Sequence, residues 1–134
     1  MISWSEKPQK HFDLFIEPRG GFTQNLFALS YHGPTTRRAM FSGPHGKKLP
    51  VQSYENVVML ATGFGIAAHL PYLRKLIHDQ NCRATSTRGI HLVWQIERRD
   101  VEFAAQKLLN EALDEDKLDG KHNLRIYIRS ENIK

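Results

Sequence analysis

The stretch NVVMLATGFGIAAHLPYL, residues 56–73, contains an apolar run of strand length, two glycines and then a helical pattern. Continuous apolar runs of this length are typical of strands in a sheet that is covered on both faces. Beyond the glycines, four apolar residues at helical spacing indicate one buried helix face: Leu70, Leu73, Leu76 and Ile77. The stretch therefore predicts a buried strand, a glycine turn and a helix.

The same residues do not have the composition of a transmembrane helix. The apolar stretch at 57–73 is shorter than the roughly 20 residues that a spanning helix needs, and glycines, His69 and Pro71 interrupt it. The N-terminus, MISWSEKPQKHFD, has early charges and no apolar core, so it does not resemble a secretory signal. We expect neither a signal nor a transmembrane segment in this chain.

Strands and helices continue to alternate toward the end of the sequence. The run GIHLVWQI at 89–96 is followed by a helical pattern at 101–113 and by NLRIYIRS at 123–130. The helix is expected to bury one face, made of Val101, Ala104, Leu108 and Ala112. This alternation favours parallel strands joined by right-handed crossovers. The fold class is therefore α/β, with a βαβαβ half of a Rossmann-like parallel sheet. Such a half normally has further strands beside its first strand, so we expect the chain to be a fragment, a splice product or the product of a truncated gene model.

The first half of the sequence has a different pattern. HFDLFIE at 11–17 alternates apolar and polar residues like a half-buried strand, and RRAMFSG at 37–43 predicts a second short strand. Between them, Thr23 is placed to cap a short helix over residues 24–32. A turn cluster at 43–46 marks the first candidate boundary.

The composition is that of a folded globular chain. Its 134 residues suffice for one compact unit, and 40% apolar and 25% charged residues lie outside the range of disordered chains. The net charge of +5 permits anionic partners without choosing among them. Cys82 is the only cysteine, and no Cys/His spacing resembles a zinc site, so no metal site is expected. The acidic residues within 114–119 are expected to form a solvated connection.

The glycine turn after the first apolar run is the main candidate ligand site. The N-terminus of a helix presents unpaired N–H groups and a partial positive charge to an anion. Gly63 allows a tight turn, Gly65 lets a phosphate approach the backbone, and Ala68 takes the third position of the G-x-G-x-x-G/A pattern. The pattern predicts a dinucleotide site, and the alternative is a turn that only packs the helix onto the sheet.

A second glycine turn, GGFTQNL at 20–26, also opens a helix and carries a hydroxyl that could bind phosphate. An N-cap and a turn explain this segment at least as well when it is taken alone.

The motifs taken in order resemble a known family. GGFTQNL, FSGPHG, YENVVMLATGFGIAAHLPYL and HLVWQIE follow the order of the ferric-chelate reductase and NADPH oxidase branch of the ferredoxin reductase superfamily, in its fungal form. The resemblance implies an FAD-binding β-barrel before a nucleotide-binding α/β domain. Residues 1–46 would then be the last strands and helix of the barrel domain, and residues 47–134 a truncated NAD(P)-binding domain.

The resemblance also implies cofactor contacts. Contacts to FAD and to the junction with nicotinamide are expected at Gly21, Thr23, Gly43, Pro44 and Gly46. Contacts to NAD(P)H are expected at Thr62, Gly63, Phe64, Gly65, Ile66 and Ala67.

Nucleotide choice depends on the residues after the second strand. Glu97 suits a free ribose 2′-OH, whereas Arg98 and Arg99 suit a 2′-phosphate, so the sequence argues both ways. We expect tighter binding of NADPH than of NADH through Arg98 and Arg99. No residue of the chain is expected to be catalytic, because the cofactors carry the redox chemistry.

The resemblance implies the electron-input segment of a ferric-reductase-like flavoprotein at the cytosolic face of a membrane. Hydride would pass from NAD(P)H to FAD, and single electrons to a membrane haem domain that reduces chelated metal or oxygen. An H-P-F-T/S motif, a late C-G-P segment and haem-bearing helices are absent from the sequence, so the chain alone is expected to be incomplete as an enzyme. The alternatives are a soluble flavoprotein reductase that serves a carrier protein and a truncated, non-catalytic nucleotide-binding remnant. No nucleic-acid partner is expected, and the sequence leaves the oligomeric state open.

Overall fold

The computed structural model describes residues 1–43, 45, 47–116 and 123–130. In chain order the elements are α1 (Phe22–Ser30), β1 (Asn56–Thr62), α2 (Ile66–Asn81), β2 (Gly89–Ile96), α3 (Arg99–Glu115) and β3 (Leu124–Ser130). Short 3-10 turns at Val51–Ser53 and Gly63–Gly65 precede β1 and α2.

The chain forms two compact units. The α/β unit consists of Met1–Leu14 and Pro50–Lys134, and the α1 unit consists of Phe15–Leu49. The assignment of residues 1–46 and 47–134 to two functional domains stays a prediction.

The three strands form one parallel sheet in the order β1-β2-β3. Asn56 is paired with Gly89, and Ile90 is paired with Leu124. Parallel neighbours need a long crossover connection, which α2 and α3 supply. The predicted βαβαβ half of a Rossmann-like sheet is therefore confirmed. Because the strands run in the same direction, their carboxyl ends meet at one edge of the sheet.

In the part of the chain that the structure describes, one face of the sheet is buried and the other is exposed. Side chains alternate between exposed and buried along β1, and on β2 the fully buried positions include Ile90, Leu92 and Trp94. On the opposite face Val58 and Leu60 are 61% and 69% exposed. The expectation that these strands are covered on both faces is wrong for the described residues. With the order β1-β2-β3, successive right-handed crossovers place both helices on the same face, which leaves the other face bare.

Helix α2 packs through the face that the sequence predicts. Leu70, Leu73, Leu76 and Ile77 are buried, and Pro71 lies within the helix without ending it.

Helix α3 buries Val101, Ala105, Leu109 and Ala112. The prediction of Ala104 and Leu108 at this face is wrong, because the apolar stripe follows i, i+4 and i+8 from Val101 rather than i+3 and i+7.

The acidic segment after α3 is not simply solvated. Asp116 is 1% exposed, and its Oδ2 accepts hydrogen bonds from the backbone N–H groups of Asn123 and Leu124, each at 2.7 Å. The carboxylate therefore anchors the start of β3, and the expected exposure of this residue is wrong. Asp119 lies outside the described residues.

In the α1 unit the predicted helix is confirmed, but its capping is different. Gly21 is the N-cap residue, and Thr23 lies inside the first turn. The Thr23 hydroxyl donates to the Arg19 carbonyl at 3.1 Å and accepts from the Arg19 N–H at 2.9 Å. Thr23 thus stabilises the preceding turn instead of the helix amides.

The two strands expected before and after α1 are not formed. Residues 11–17 and 37–43 have no regular secondary structure. A strand needs a neighbour to complete its hydrogen-bond ladder, and neither segment has one among the described residues. The barrel part of the fold prediction is therefore not shown.

Within the described part of the chain, no helix is both long enough and apolar enough to cross a bilayer.

Candidate functional site

The glycine turn joins β1 to α2 at the carboxyl edge of the sheet. Gly63 has φ +48°, a left-handed conformation that favours glycine. Gly65 is the N-cap of α2 and has φ −56° and ψ −18°, which any residue adopts. The backbone therefore requires glycine at the first position of the turn but not at the second.

Packing does not require glycine at position 65 either. A Cβ built on Gly65 would have no described atom within 4 Å outside its own neighbours and helix backbone. The residue leaves a bare stretch of backbone at the start of a helix, which a ligand can approach closely. The open space and the bare backbone at Gly65 leave room for a diphosphate. A diphosphate also binds through N–H groups or the positive charge at a helix start.

Among the described residues, no side chain caps the first turn of α2, and this turn carries no acidic residue. A backbone N–H at the start of α2 already donates to the Phe64 carbonyl, because the 3-10 turn runs directly into the helix. The feature that suits an anion here is the partial positive charge of the helix start. Helix α3 begins differently, since its first turn contains Asp100 and Glu102, and Asp100 Oδ1 accepts from the Val101 N–H at 3.0 Å. The positive end of α3 is thus compensated by carboxylates of its own first turn, whereas α2 has no carboxylate in its first turn.

Trp94 of β2 holds the turn in place. Its indole Nε1–H donates to the Gly63 carbonyl at 2.9 Å, and the side chain is 1% exposed. The sequence shows Trp94 only as part of the apolar run at 89–96 and does not indicate this bond. A buried tryptophan normally finds an acceptor for its N–H, so a partner for Trp94 could have been expected. Trp94 is paired in the sheet with Ala61, and the turn that supplies the acceptor begins two residues after Ala61.

Glu97 lies against the turn from the end of β2. A Cβ built on Gly63 would lie 2.7 Å from Glu97 Oε2 and 3.2 Å from its Cδ. The lack of a side chain at Gly63 therefore also accommodates this carboxylate. The structure brings together Gly63 and Glu97, which are separated by α2 and β2 in the sequence.

The two arginines after Glu97 are placed differently. Arg98 is the N-cap residue of α3, and its Nε donates to Asp100 Oδ1 at 3.1 Å while its Nη2 pairs with Asp100 Oδ2. Arg99 is exposed at the first position of the helix. The Arg98 guanidinium is thus already engaged by a carboxylate of its own helix.

His69 fixes α2 to the edge of the sheet. Its Nε2 lies 2.9 Å from the Leu60 carbonyl of β1, to which it donates. Since β1 is an edge strand of the described sheet, one of its sides has no neighbouring strand to pair with its carbonyl groups. The bond from His69 gives the Leu60 carbonyl a partner there. Sequence reasoning gives His69 no specific partner.

The remaining NAD(P)H candidates surround the turn. Ile66 is buried beneath it, Phe64 and Ala67 are half-buried, and Thr62 is exposed at the end of β1. These residues form one continuous segment with the glycines, as the resemblance implies.

The residues expected to contact FAD are less informative. Gly21 has φ +75° and Gly43 has φ +133°, so backbone conformation alone accounts for both glycines. The Thr23 hydroxyl is committed to Arg19. Two further candidates of this group lie outside the described residues: Pro44 and Gly46.

Comparison with known proteins identifies similar sequences. The model of the ferric reductase NAD binding domain family matches residues 54–133. The chain is 36% identical over 95 residues to the probable cell surface ferric reductase kap2 of Aspergillus oryzae, covering 67% of this chain and 13% of that protein. It is 27% identical over 126 residues to ferric/cupric reductase transmembrane component 7 of Saccharomyces cerevisiae, covering 89% of this chain and 19% of that protein. The chain thus spans less than a fifth of the length of these relatives.

Proposed function

Because the chain belongs to the ferric reductase NAD binding domain family, we propose that it binds NAD(P)H at the turn between β1 and α2. In a longer protein it would then be the electron-input segment of a ferric reductase. The matched residues 54–133 include all three strands and the turn itself. The family supports nucleotide binding, and the turn is where the described geometry suits it.

The single observation that carries the proposal is the bare backbone at Gly65. Neither conformation nor packing explains a glycine there, but a diphosphate lying against the helix start does. The partial positive charge at the start of α2 would attract its oxygens, with Ile66 and Ala67 in the adjacent first turn. When bound, NAD(P)H supplies a hydride. The chain's own residues bind and orient the nucleotide, and Trp94 keeps the turn rigid through the Gly63 carbonyl.

FAD does not receive the same support. The Thr23 hydroxyl is already paired and the glycines are explained by their φ angles, so the residues described do not test for a flavin diphosphate. FAD contact at Gly21, Thr23 and Gly43 stays a prediction. Electron transfer to a membrane haem domain, and reduction of chelated metal or oxygen, likewise stay predictions about a longer protein.

Calorimetric titration of the full chain with NADH and NADPH, each with and without FAD, tests the proposal. At least one nucleotide should bind. The variant Gly65→Ala should bind it at least about tenfold more weakly, because the added methyl occupies the space over the helix amides. Its circular dichroism and urea midpoint should match the wild type, since Gly65 has an ordinary helical φ and an open Cβ position.

The matched control is Gly20→Ala. A Cβ at Gly20 also meets no described atom within 4 Å, and this residue belongs to the α1 unit. Its nucleotide affinity should equal that of the wild type. Binding of neither nucleotide would overturn the proposed function and favour the non-catalytic remnant. Unchanged affinity in Gly65→Ala would remove the diphosphate from this turn.

A further inference from the structure

We propose that Ser86 is a phosphorylation site for an arginine-directed serine/threonine protein kinase. Ser86 lies in the loop between α2 and β2, residues 82–88, at the amino edge of the sheet. The nucleotide turn lies at the carboxyl edge, about 20 Å away along the seven-residue strand β1. The phosphorylation site is therefore separate from the proposed nucleotide site and does not depend on it.

The residues before Ser86 have the spacing that such a kinase recognises. Arg83 precedes Ser86 by three residues, in RATS at 83–86. None of the other serines and threonines of the sequence has an arginine or a lysine three residues before it. Arginine-directed kinases hold this side chain against carboxylates of their substrate groove, with which a guanidinium forms paired hydrogen bonds. The spacing therefore distinguishes Ser86 from every other hydroxyl side chain of the chain.

Three consecutive residues of the loop carry hydroxyls, and Ser86 is the one whose hydroxyl faces solvent without a partner. The Thr85 hydroxyl donates to the Gln52 carbonyl, and the Thr87 hydroxyl donates to the Tyr54 carbonyl, each at 2.7 Å. Thr87 is 4% exposed, and Thr85 is half-buried. Ser86 is exposed at a bend of the loop and forms no hydrogen bond with any residue that the structure describes. A kinase approaching from solvent therefore meets the Ser86 hydroxyl first.

The charge of the loop suits the phosphate that would be added. Residues 82–88 contain two exposed arginines, Arg83 and Arg88, and no acidic residue, which gives a formal charge of +2. A phosphoserine carries about −1.5 to −2 at pH 7, so phosphorylation would bring the loop close to neutrality. Arg88 Nε lies 3.9 Å from Glu55 Oε1, which is beyond hydrogen-bond distance, so a phosphate can compete for this guanidinium.

The transfer takes its phosphoryl group from ATP. Ser86 Oγ bonds to the γ-phosphorus, the bond from that phosphorus to the ADP oxygen breaks, and the hydroxyl proton passes to the catalytic carboxylate of the kinase. A kinase binds its substrate as an extended segment, so the loop must release the hydrogen bonds from Thr85 and Thr87. Since residues 82–88 belong to no helix or strand, this local opening leaves the sheet intact.

Incubation of the full chain with ATP and active calmodulin-dependent protein kinase II tests the proposal, with mass spectrometry to locate the phosphate. One phosphate should be incorporated, at Ser86, in a chain that is folded by circular dichroism. Ser86→Ala should abolish this incorporation. Arg83→Gln should lower kcat/KM for the chain as substrate at least about tenfold, because the kinase loses the charge that it recognises. A synthetic peptide of residues 80–90 shows that the kinase is active.

The matched control is Ser42→Ala. Ser42 is also an exposed serine, but its nearest preceding arginine, Arg38, lies four residues before it. This variant removes a hydroxyl at the wrong spacing, so incorporation and kcat/KM should equal those of the wild type.

Three results would overturn the inference: no phosphate at Ser86 of the folded chain, a phosphate located mainly at another residue, or a kcat/KM that Arg83→Gln leaves unchanged. The outcome is independent of nucleotide titration. Binding of neither NADH nor NADPH would overturn the proposed function and leave the phosphorylation of Ser86 in place.

Discussion

Replacing Trp94 by phenylalanine should destabilise the α/β unit through one lost hydrogen bond. The indole N–H donates to the Gly63 carbonyl at 2.9 Å, and phenylalanine has no donor. Since the side chain is 1% exposed, no water replaces the missing bond without opening the core.

The magnitude has two parts. A buried acceptor left without a partner costs about 1–3 kcal/mol, and the smaller ring loses about 1 kcal/mol of apolar contact. The free energy of unfolding should therefore fall by about 2–4 kcal/mol, a large share of the stability of an ordinary domain. Nucleotide affinity should fall as well, because the turn loses the bond that fixes it.

Urea denaturation followed by far-ultraviolet circular dichroism measures the effect. With a slope of about 2 kcal/mol per molar urea, the midpoint should shift down by roughly 1–2 M. The chain has two tryptophans, so Trp4→Phe is a matched control and each variant leaves a single fluorophore. The Trp4 ring lies 5.1 Å from the His78 ring, and its indole donates no hydrogen bond to a described residue. Trp4→Phe should therefore cost less than about 1 kcal/mol.

Equal losses in the two variants would refute the reasoning, because ring size alone would then explain both. A stable Trp94→Phe with unchanged nucleotide affinity would show that the bond does not hold the turn.

Two further predictions concern stability. Asp116→Ala should lower the free energy of unfolding by about 3 kcal/mol, because two backbone N–H groups lose a charged acceptor. The stability of Asp116→Asn should lie between that of Asp116→Ala and that of the wild type. A loss below about 1 kcal/mol for Asp116→Ala in urea denaturation would contradict the anchoring role. Arg74→Met should cost less than about 1 kcal/mol although Arg74 Nη2 lies 3.0 Å from Glu111 Oε2, because the pair is partly exposed. A double-mutant cycle with Glu111→Gln would contradict this if the coupling energy exceeded about 1 kcal/mol.

The fold of the α/β unit could be predicted because its signals are local. Apolar runs of strand length, helical spacing in α2 and glycines between them each depend on a few adjacent residues. Two of the predictions that were wrong, the strand at 11–17 and the covered second face of β1, depend on distant partners. Whether residues 11–17 form a strand depends on a neighbouring strand that this segment lacks among the described residues. Burial on the second face of β1 depends on what covers it, which its own residues do not encode.

The candidate site divides in the same way. The glycine turn and its helix could be recognised from spacing, and Glu97 could be placed near the nucleotide from its position after β2. The sequence left the choice between Glu97 and Arg98 open, because both residue types occur at such a place. In the structure Asp100 engages the Arg98 guanidinium, and the Glu97 carboxylate lies beside Gly63. The sequence likewise does not indicate the hydrogen bond from Trp94 to the Gly63 carbonyl.

The parallel order β1-β2-β3 has a consequence for folding during synthesis. Every ladder contact joins residues that flank a whole helix, as Asn56 with Gly89 and Ile90 with Leu124. The described strands form no hairpin that could start the pairing, so formation of this sheet requires long loop closures and should be slow compared with helix formation. During synthesis the apolar strand β1 cannot pair with β2 until β2 has left the ribosome. We expect this interval to be when the nascent chain depends most on chaperones.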